Sequence, residues 1–236
     1  MFGIFTGVLA NAAMVVAGTA VGCLFKTEKL KTIGDRIFQA FACFVMVLGI
    51  SGSIALSQPI FILISLILGI AIGELLDIDA RFNALGDSMQ RRFAKNAQDG
   101  SFAEGFVSAS LLFCIGSMTI MGGLQSGLEN IHTIYYTKGV IDGVTAITFA
   151  MSSGIAVAFS ALSITVYQGL ITLSASFIAP YLTPEIISIS TQVGSLTLIA
   201  LSFNMLGLTK IKVANFLPAM FIPMIWCILG LPVPAI

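Results

Sequence analysis

Charge is the scarcest property of this chain. Only 9% of its 236 residues are Asp, Glu, Lys or Arg, whereas 57% are hydrophobic and the mean hydropathy is +1.02. A soluble domain has about a quarter charged residues, so this composition excludes an ordinary soluble domain and predicts an integral membrane protein. The net charge is zero and no basic face resembles that of a nucleic-acid binder, so nucleic acid is not an expected partner.

The residues that catalytic and metal sites use are also few. There is one histidine, His132, and the four cysteines lie in apolar stretches without CxxC spacing: Cys23, Cys43, Cys114 and Cys227. The GxSxG and HExxH motifs are absent. We therefore expect no enzymatic activity and no cofactor, and we interpret the cysteines as small apolar side chains. The pattern leaves a metal ligand set undecided.

The few basic residues are clustered. Ten of the eleven Lys and Arg residues lie in three patches, at residues 26–36, 81–95 and 210–212. A transmembrane helix needs roughly 20 mostly apolar residues to cross about 30 Å of hydrocarbon. The sequence thus predicts one membrane domain over residues 1–236, with apolar stretches at residues 3–25, 37–56, 60–76, 105–123, 143–184, 187–207 and 213–231. No basic residue precedes the first stretch, so we expect it to be retained as a span.

The stretch 143–184 carries no charge. As a single helix it would be about 60 Å long, twice the hydrocarbon thickness, so it predicts a hairpin of two spans. Only a hairpin puts all three basic patches on the cytoplasmic side, as the positive-inside rule requires. The result is about eight transmembrane helices with both termini outside and with Lys138 in an external loop beside Glu129 and His132.

The longest loop, residues 77–104, contains an amphipathic segment. Phe82, Leu85, Met89 and Phe93 recur at helical spacing, and basic residues occupy the other faces. This pattern predicts a helix on the anionic inner leaflet, and a regulatory or partner-docking helix is the alternative.

A weak internal similarity suggests a further level of organisation. At an offset of 136 residues, Gly7 matches Gly143 and Gly18 matches Gly154. This offset raises the hypothesis of two parallel repeats of four helices.

Small residues line one face of the first span. Gly3, Gly7, Asn11, Gly18 and Gly22 share this face and include two GxxxG pairs. Small residues let helix backbones approach closely in a membrane, so the face is expected to pack on another helix or on a second subunit. The same spacing recurs later in the chain, and we expect a homo-oligomer packed through glycine faces.

Two carboxylates lie beside apolar spans, Glu74 near the inner end of the third and Asp142 near the outer start of the fifth. A charge at the bilayer centre costs about 2.5–3.5 kcal/mol on insertion scales, so both are candidates for a transport path. Each also has a structural interpretation. Glu74 could reach the headgroup region, and Asp142 could pair with Lys138 at helical spacing.

Two segments are predicted to interrupt helices. Residues 113–123 combine glycines with hydroxyls, and the last span contains Asn215, Pro218 and Pro223. Interrupted helices expose backbone dipoles that hold ions or polar substrates, although an amide can equally bond another helix and a serine its own. The predicted substrate-binding residues are Asn11, Glu74, Ser117, Asp142, Ser153, Gln168, Asn204 and Asn215.

Several of these segments resemble a known family. Residues 73–78, 113–128, 138–143 and 210–218 are similar to the multipass bacterial inner-membrane proteins of the YqgA and YdfK type, a domain of unknown function. The resemblance spans nearly the whole chain. It implies a bacterial inner-membrane location, and transport is the activity usually inferred for the family from its topology alone. It supplies no substrate and no catalytic residue.

Together these patterns predict an all-α integral membrane protein that moves a small ion or polar solute, with the lipid bilayer and that solute as partners. The alternative is a non-transporting scaffold or partner protein in which Glu74 and Asp142 anchor helix ends. A cavity lined by Asn11, Ser117, Ser153 and Gln168 would favour transport. A solid core with those groups bonded to backbone would favour the scaffold.

Overall fold

The computed structural model describes residues 3–25, 31–54, 57–93 and 101–231, apart from the side chains of residues 31, 32, 93 and 101. These ranges are mostly helical and contain no strands, and the chain is an all-α membrane protein. Its α-helices are α1 (Thr6–Leu24), α2 (Lys31–Ser53), α3 (Pro59–Leu76), α4 (Ile78–Phe93), α5 (Ser101–Cys114), α6 (Ser117–Glu129), α7 (Thr133–Ser153), α8 (Ala156–Ile178), α9 (Pro184–Met205) and α10 (Ile222–Ile228). Short 3₁₀ helices cover Gly3–Phe5, Ala179–Tyr181 and Val213–Phe221.

Five described helices are long and apolar enough to cross a membrane, namely α1, α2, α3, α8 and α9. The pair α5 and α6, bent by 63° at its break, is a sixth if the two helices together form one span. Two of the eight predicted spans remain. One corresponds to α7, which is long enough to cross a membrane but carries Lys138 and Asp142. The other corresponds to the shorter apolar segment Val213–Ile228. The full count of eight stays a prediction.

The charge-free stretch forms two helices, α7 and α8, as the hairpin prediction requires. Gly154 separates them with φ +66°, a backbone conformation that favours glycine. The start of the hairpin was predicted wrongly, because α7 begins at Thr133 rather than near residue 143. Lys138 therefore lies inside a helix, 5% exposed, and not in an external loop. The apolar face of α7 extends back to the fully buried Tyr135, which explains the earlier helix start.

Two helix boundaries follow local sequence signals, and the second of them, the interruption of the last span, was predicted. Thr183 is the N-cap of α9, and its hydroxyl oxygen accepts a hydrogen bond from the Ile186 amide at 3.2 Å. The last span is interrupted, because the 3₁₀ helix Val213–Phe221 contains Pro218 and gives way to α10 at Ile222. Proline has no amide hydrogen and its ring clashes with the preceding turn, so it does not fit a regular helix interior.

The predicted amphipathic segment forms α4. Phe82 and Met89 pack against the main core, and Arg81 and Arg91 are exposed. Residues 94–100, which include Lys95, lie outside the described residues, as do Lys26 and Lys29 of the first basic patch. The placement of α4 on a lipid leaflet stays a prediction.

The third basic patch lies beside the first turns of α4, the helix that carries the described residues of the second patch. Lys210 and Lys212 line one cavity together with Asp79 and Asn83 of α4. The hairpin was predicted in part because it brings these patches to one side of the membrane, and the side that each patch faces stays a prediction.

The glycine face of α1 packs against α7 of the same chain, not against a second subunit. A β-carbon on Gly18 would overlap the Gly143 carbonyl, and one on Gly22 would overlap the Ile147 carbonyl. The later GxxxG pairs are also used within the chain: Gly69 and Gly73 meet the 3₁₀ helix Val213–Phe221. The homo-oligomer stays a prediction, and it would need other surfaces.

The helix boundaries do not follow the register of the hypothetical repeat. An offset of 136 sets α1, which is continuous, against a segment that contains the end of α7, the turn at Gly154 and the start of α8. Gly18 in mid-helix is thereby matched to Gly154 in a turn.

Candidate functional site

The break between α5 and α6 is the starting point of the site. α5 ends at Cys114 and α6 begins at Ser117, and between them Gly116 has φ +132°, a conformation that favours glycine. The last carbonyls of a helix have no partner within it. Here the Phe113 carbonyl accepts a hydrogen bond of 2.8 Å from the ammonium group of Lys138.

Lys138 also forms an ion pair with Asp142, one turn later in α7. The two residues are 5% and 6% exposed, so both charged groups are almost fully removed from solvent within the chain. Burying two charges is costly, and mutual attraction offsets the cost only when further hydrogen bonds satisfy the groups. The Phe113 carbonyl supplies one such bond because the helix is broken at that point.

Lys138 and Asp142 line a cavity of about 370 Å³, the central cavity. Ser117 from the start of α6 and Thr145 from α7 also line it, as does Ser195 from α9. The hydroxyl of Ser195 donates to the Thr191 carbonyl at 2.8 Å, the back-bond expected of a helical serine. The rest of the wall is largely apolar, so the ion pair is the strongest polar feature of the cavity.

Asn11 and Gln168 lie behind this wall. Both are fully buried, and the Asn11 amide donates a hydrogen bond of 3.3 Å to the Gln168 carbonyl oxygen. Asn11 also approaches the Asp142 carboxylate. Asn11 Oδ1 and Gln168 Nε2 have no hydrogen-bond partner among the described residues. These two amides therefore extend the polar cluster of α7 into α1 and α8 without lining the cavity itself.

Ser153 and Asn204 line two other cavities. Ser153 lies in a cavity of about 160 Å³ with Glu104, Ser108 and Ser152, the Glu104 cavity. Asn204 lines a cavity of about 320 Å³ that contains Lys210 and Lys212, the Lys210 cavity. Glu104 and Ser108 line both, so these two cavities adjoin.

Glu74 and Asn215 have structural partners away from the central cavity. Glu74 is half-exposed and lies 3.7 Å from the Lys212 ammonium, which also lies 3.5 Å from Asp77. These carboxylates, Asp77 first, raise the pKa of Lys212 above its usual value. Asn215 is fully buried, and its side-chain oxygen accepts a hydrogen bond of 2.7 Å from the Asp79 amide at the start of α4.

The predicted binding residues are thus divided among several places. The structure brings together Asp142 and Ser117, with Asn11 and Gln168 adjoining them, and it separates these from Ser153, Asn204, Glu74 and Asn215.

Sequence reasoning missed Lys138 as a site residue. Its four-residue spacing from Asp142 was noted, but a loop was assigned to it. The buried positions Tyr135, Gly139, Asp142 and Ala146 continue one helical face, and that periodicity could have placed Lys138 in the helix.

The titratable residues offer little else for a site. Among the described residues, no group of three His, Cys, Asp or Glu side chains could hold a metal ion. The ring nitrogen Nδ1 of His132 lies 3.1 Å from the Ser126 hydroxyl. Cys114 is buried, Cys23 and Cys227 are partly buried, and Cys43 is exposed on α2.

Comparison with known proteins gives a consistent family match. A family model described as "Protein of unknown function (DUF554)" matches residues 6–228. The chain is 32% identical over 224 residues to an "Uncharacterized membrane protein YdfK" of Bacillus subtilis, covering 92% of this chain and 93% of that one. It is 27% identical over 221 residues to an "Uncharacterized protein YqgA" of Escherichia coli, covering 92% and 94%. No solved structure matches the chain significantly.

Proposed function

We propose, from the premise that this chain belongs to the DUF554 family of proteins of unknown function, that it moves a small ion or polar solute across a membrane through the central cavity. One observation carries the proposal. The Lys138–Asp142 pair is buried in the cavity wall beside a broken helix. The transported solute and the lipid bilayer are the proposed partners.

The energetic argument rests on what a purely structural protein would need. Ionisable residues within transmembrane segments are costly and usually mark a substrate or ion pathway. A buried ion pair can often be replaced by apolar residues at no loss of stability, so packing alone gives little reason to keep Lys138 and Asp142. A pair exposed to a cavity can exchange one partner for a solute of matching charge.

The size and chemistry of the cavity suit a small solute. Its volume of about 370 Å³ is at the low end of the roughly 300–1,000 Å³ typical of small-molecule sites. Lys138 and Asp142 offer one charge of each sign, and Ser117 and Thr145 add hydroxyls. This set would bind an ion or a compact zwitterion better than an apolar compound.

The proposed location is the bacterial inner membrane, with both termini outside. Arg91 and Lys210 would then both face the cytoplasm, as the positive-inside rule expects. Apolar side chains exposed on α8, such as Leu162, Val166 and Leu170, would meet lipid.

Catalysis is not proposed. The buried pair in the cavity joins a lysine to a carboxylate with the Phe113 carbonyl as the third partner, and this arrangement supplies no activated nucleophile.

A second candidate function, a non-transporting scaffold, has its own support. Asn11 and Gln168 bond to each other in the core, and Glu74 pairs with Lys212 at the surface. These contacts are what helix anchoring needs. They do not account for a charged pair in the cavity wall, where apolar residues could pack as well, and transport is therefore preferred.

The direct test is a stability screen of the purified protein against ions and small metabolites. A bound solute at about a hundred times its Kd stabilises a protein by about 2.7 kcal/mol, so a hit raises the melting temperature. We expect the hit to lose its effect in Asp142→Asn and to keep it in Glu74→Gln, the matched surface carboxylate. A hit that stabilises Asp142→Asn as much as the wild type would move the binding site away from the central cavity.

A further inference from the structure

The central cavity and the Glu104 cavity share four lining helices, α2, α5, α7 and α9, and α6 lines the central cavity in addition. Passing from the Glu104 cavity to the central cavity, α2 contributes Phe38 and then Phe41, α5 contributes Ser108 and then Leu112, and α7 contributes Phe149 and then Thr145. Residue numbers rise along this path in α2 and α5 and fall in α7 and α9. The two cavities are therefore stacked along the axes of these helices.

The layer between the two cavities is thin. On α2, α5 and α7 the paired lining positions are three or four residues apart, which corresponds to about 4.5–6 Å along a helix, or one turn. On α9 the nearest lining positions, Met205 and Leu198, are about two turns apart. Three aromatic rings occupy this layer. Phe149 is fully buried and packs edge-on against Phe38, with ring centroids 5.3 Å apart, and against Phe41, with centroids 5.8 Å apart.

We infer that Phe38, Phe41 and Phe149 form an aromatic gate that closes the central cavity from the Glu104 cavity. The inference rests on the proposed function, because the three rings would be the barrier in the proposed transport path. An apolar constriction stops ions and polar solutes because they would lose their hydration within it. Phe149 is the central element, as its ring contacts the phenylalanine on each side of the layer.

The path continues on the far side of the gate. Glu104 and Ser108 belong both to the Glu104 cavity and to the Lys210 cavity, which lies among the exposed basic residues Lys210 and Lys212. A polar route thus leads from the surface of the protein up to the rings. One turn beyond Phe149 along α7, the central cavity presents Thr145, and the buried ion pair follows about one to two turns further on.

Thiol labelling in membrane vesicles tests the gate without knowledge of the transported solute. The four native cysteines are replaced by alanine, and single cysteines are introduced at Ser153 in the Glu104 cavity and at Thr145 in the central cavity. A membrane-impermeant thiol reagent is applied to the vesicle face from which Ser153→Cys is labelled. Val144→Cys is the matched control, because position 144 adjoins 145 on α7 but is 62% exposed on the outer surface of the bundle.

With the gate intact, Thr145→Cys should react no faster than Val144→Cys. Adding Phe149→Ala should accelerate labelling of Thr145→Cys by about tenfold or more, as expected when an apolar constriction is opened to water. Labelling of Ser153→Cys should not change. Because Phe149 is buried and its truncation could prevent folding, Phe38→Ala, at a half-buried ring, is the second variant with the same expected result.

Two results would overturn the gate. If Thr145→Cys is labelled as fast with all three rings present as it is with Phe149→Ala added, no barrier separates the cavities. Labelling that stays slow in both ring variants, while Ser153→Cys reacts, would show that the rings are not what separates them. Neither result touches the test of Asp142 in solute binding, so failure of the gate and failure of the proposed function are distinguishable.

Discussion

The ammonium of Lys138 donates a hydrogen bond of 2.8 Å to the carbonyl of Phe113, the next-to-last residue of α5. This contact ties α7 to the break between α5 and α6. The same ammonium group also donates to the Asp142 carboxylate, so Lys138 serves two acceptors.

The first prediction concerns this lysine. Lys138→Met should lower the free energy of unfolding by about 3–5 kcal/mol, because it leaves a buried carboxylate and a buried carbonyl unpaired. Thermal unfolding of the purified protein in detergent measures the loss. Lys212→Met, which breaks only exposed ion pairs, is the control and should have little effect. If both variants unfold at the same temperature, Asp142 does not depend on Lys138.

The second prediction concerns the packing of α1 on α7. Gly18→Leu should lower the free energy of unfolding by about 1–3 kcal/mol or more, because any side chain at this position overlaps the Gly143 carbonyl. Val16→Leu, at an exposed position on the same helix, should change little. Thermal melting of the two variants in the same detergent makes the comparison. Equal tolerance of both changes would mean that the two helices do not pack as closely as described.

The third prediction concerns transport. In proteoliposomes loaded with a solute identified by the stability screen, Asp142→Asn should cut flux by about tenfold or more, as expected for an ionisable residue in a pathway. Glu74→Gln should leave flux unchanged, since Glu74 is half-exposed and pairs with Lys212 away from the cavity. Protein yield and reconstitution efficiency are measured alongside. Normal flux in Asp142→Asn would remove this carboxylate from the mechanism.

The fourth prediction concerns the start of α4. Asn215→Ala should destabilise the first turn of α4 by about 0.5–2 kcal/mol, because the Asp79 amide loses its acceptor. Faster hydrogen exchange in that turn reports the loss. Asn204→Ala is the contrast: Asn204 bonds both the amide and the carbonyl of Ile211, so faster exchange should appear at Ile211 and not in α4. Unchanged exchange of the Asp79 amide in Asn215→Ala would contradict the cap.

The fifth prediction is topological. Single cysteines at Arg91 and Lys210 should be modified by an impermeant reagent from the cytoplasmic side, and one at Glu129 from the opposite side. All three positions are exposed on the protein. Modification of position 210 from the same side as position 129 would rule out the eight-span topology.

Local sequence patterns were sufficient for the helices whose ends are marked chemically. Thr183 and Pro184 define the start of α9, and the charge-free stretch required a break, which occurs at Gly154. The boundary of α7 was missed, because Lys138 was assigned to an external loop and Asp142 to the start of the span. Their cost inside the protein is offset by a partner from another helix, Phe113, and nothing in the local sequence shows such a partner.

The sequence by itself determined that this is an all-α membrane protein, because composition and charge clustering act through the solvation of each segment alone. It also determined which residues were worth considering, including Asp142 and Ser117. Only the tertiary structure decided how they group. Ser117 and Asp142 share a cavity, Ser153 lies on the other side of three aromatic rings, and Glu74 is at the surface. The grouping depends on which helices pack together, and close packing of α1 on α7 or of α2 on α9 joins segments more than a hundred residues apart.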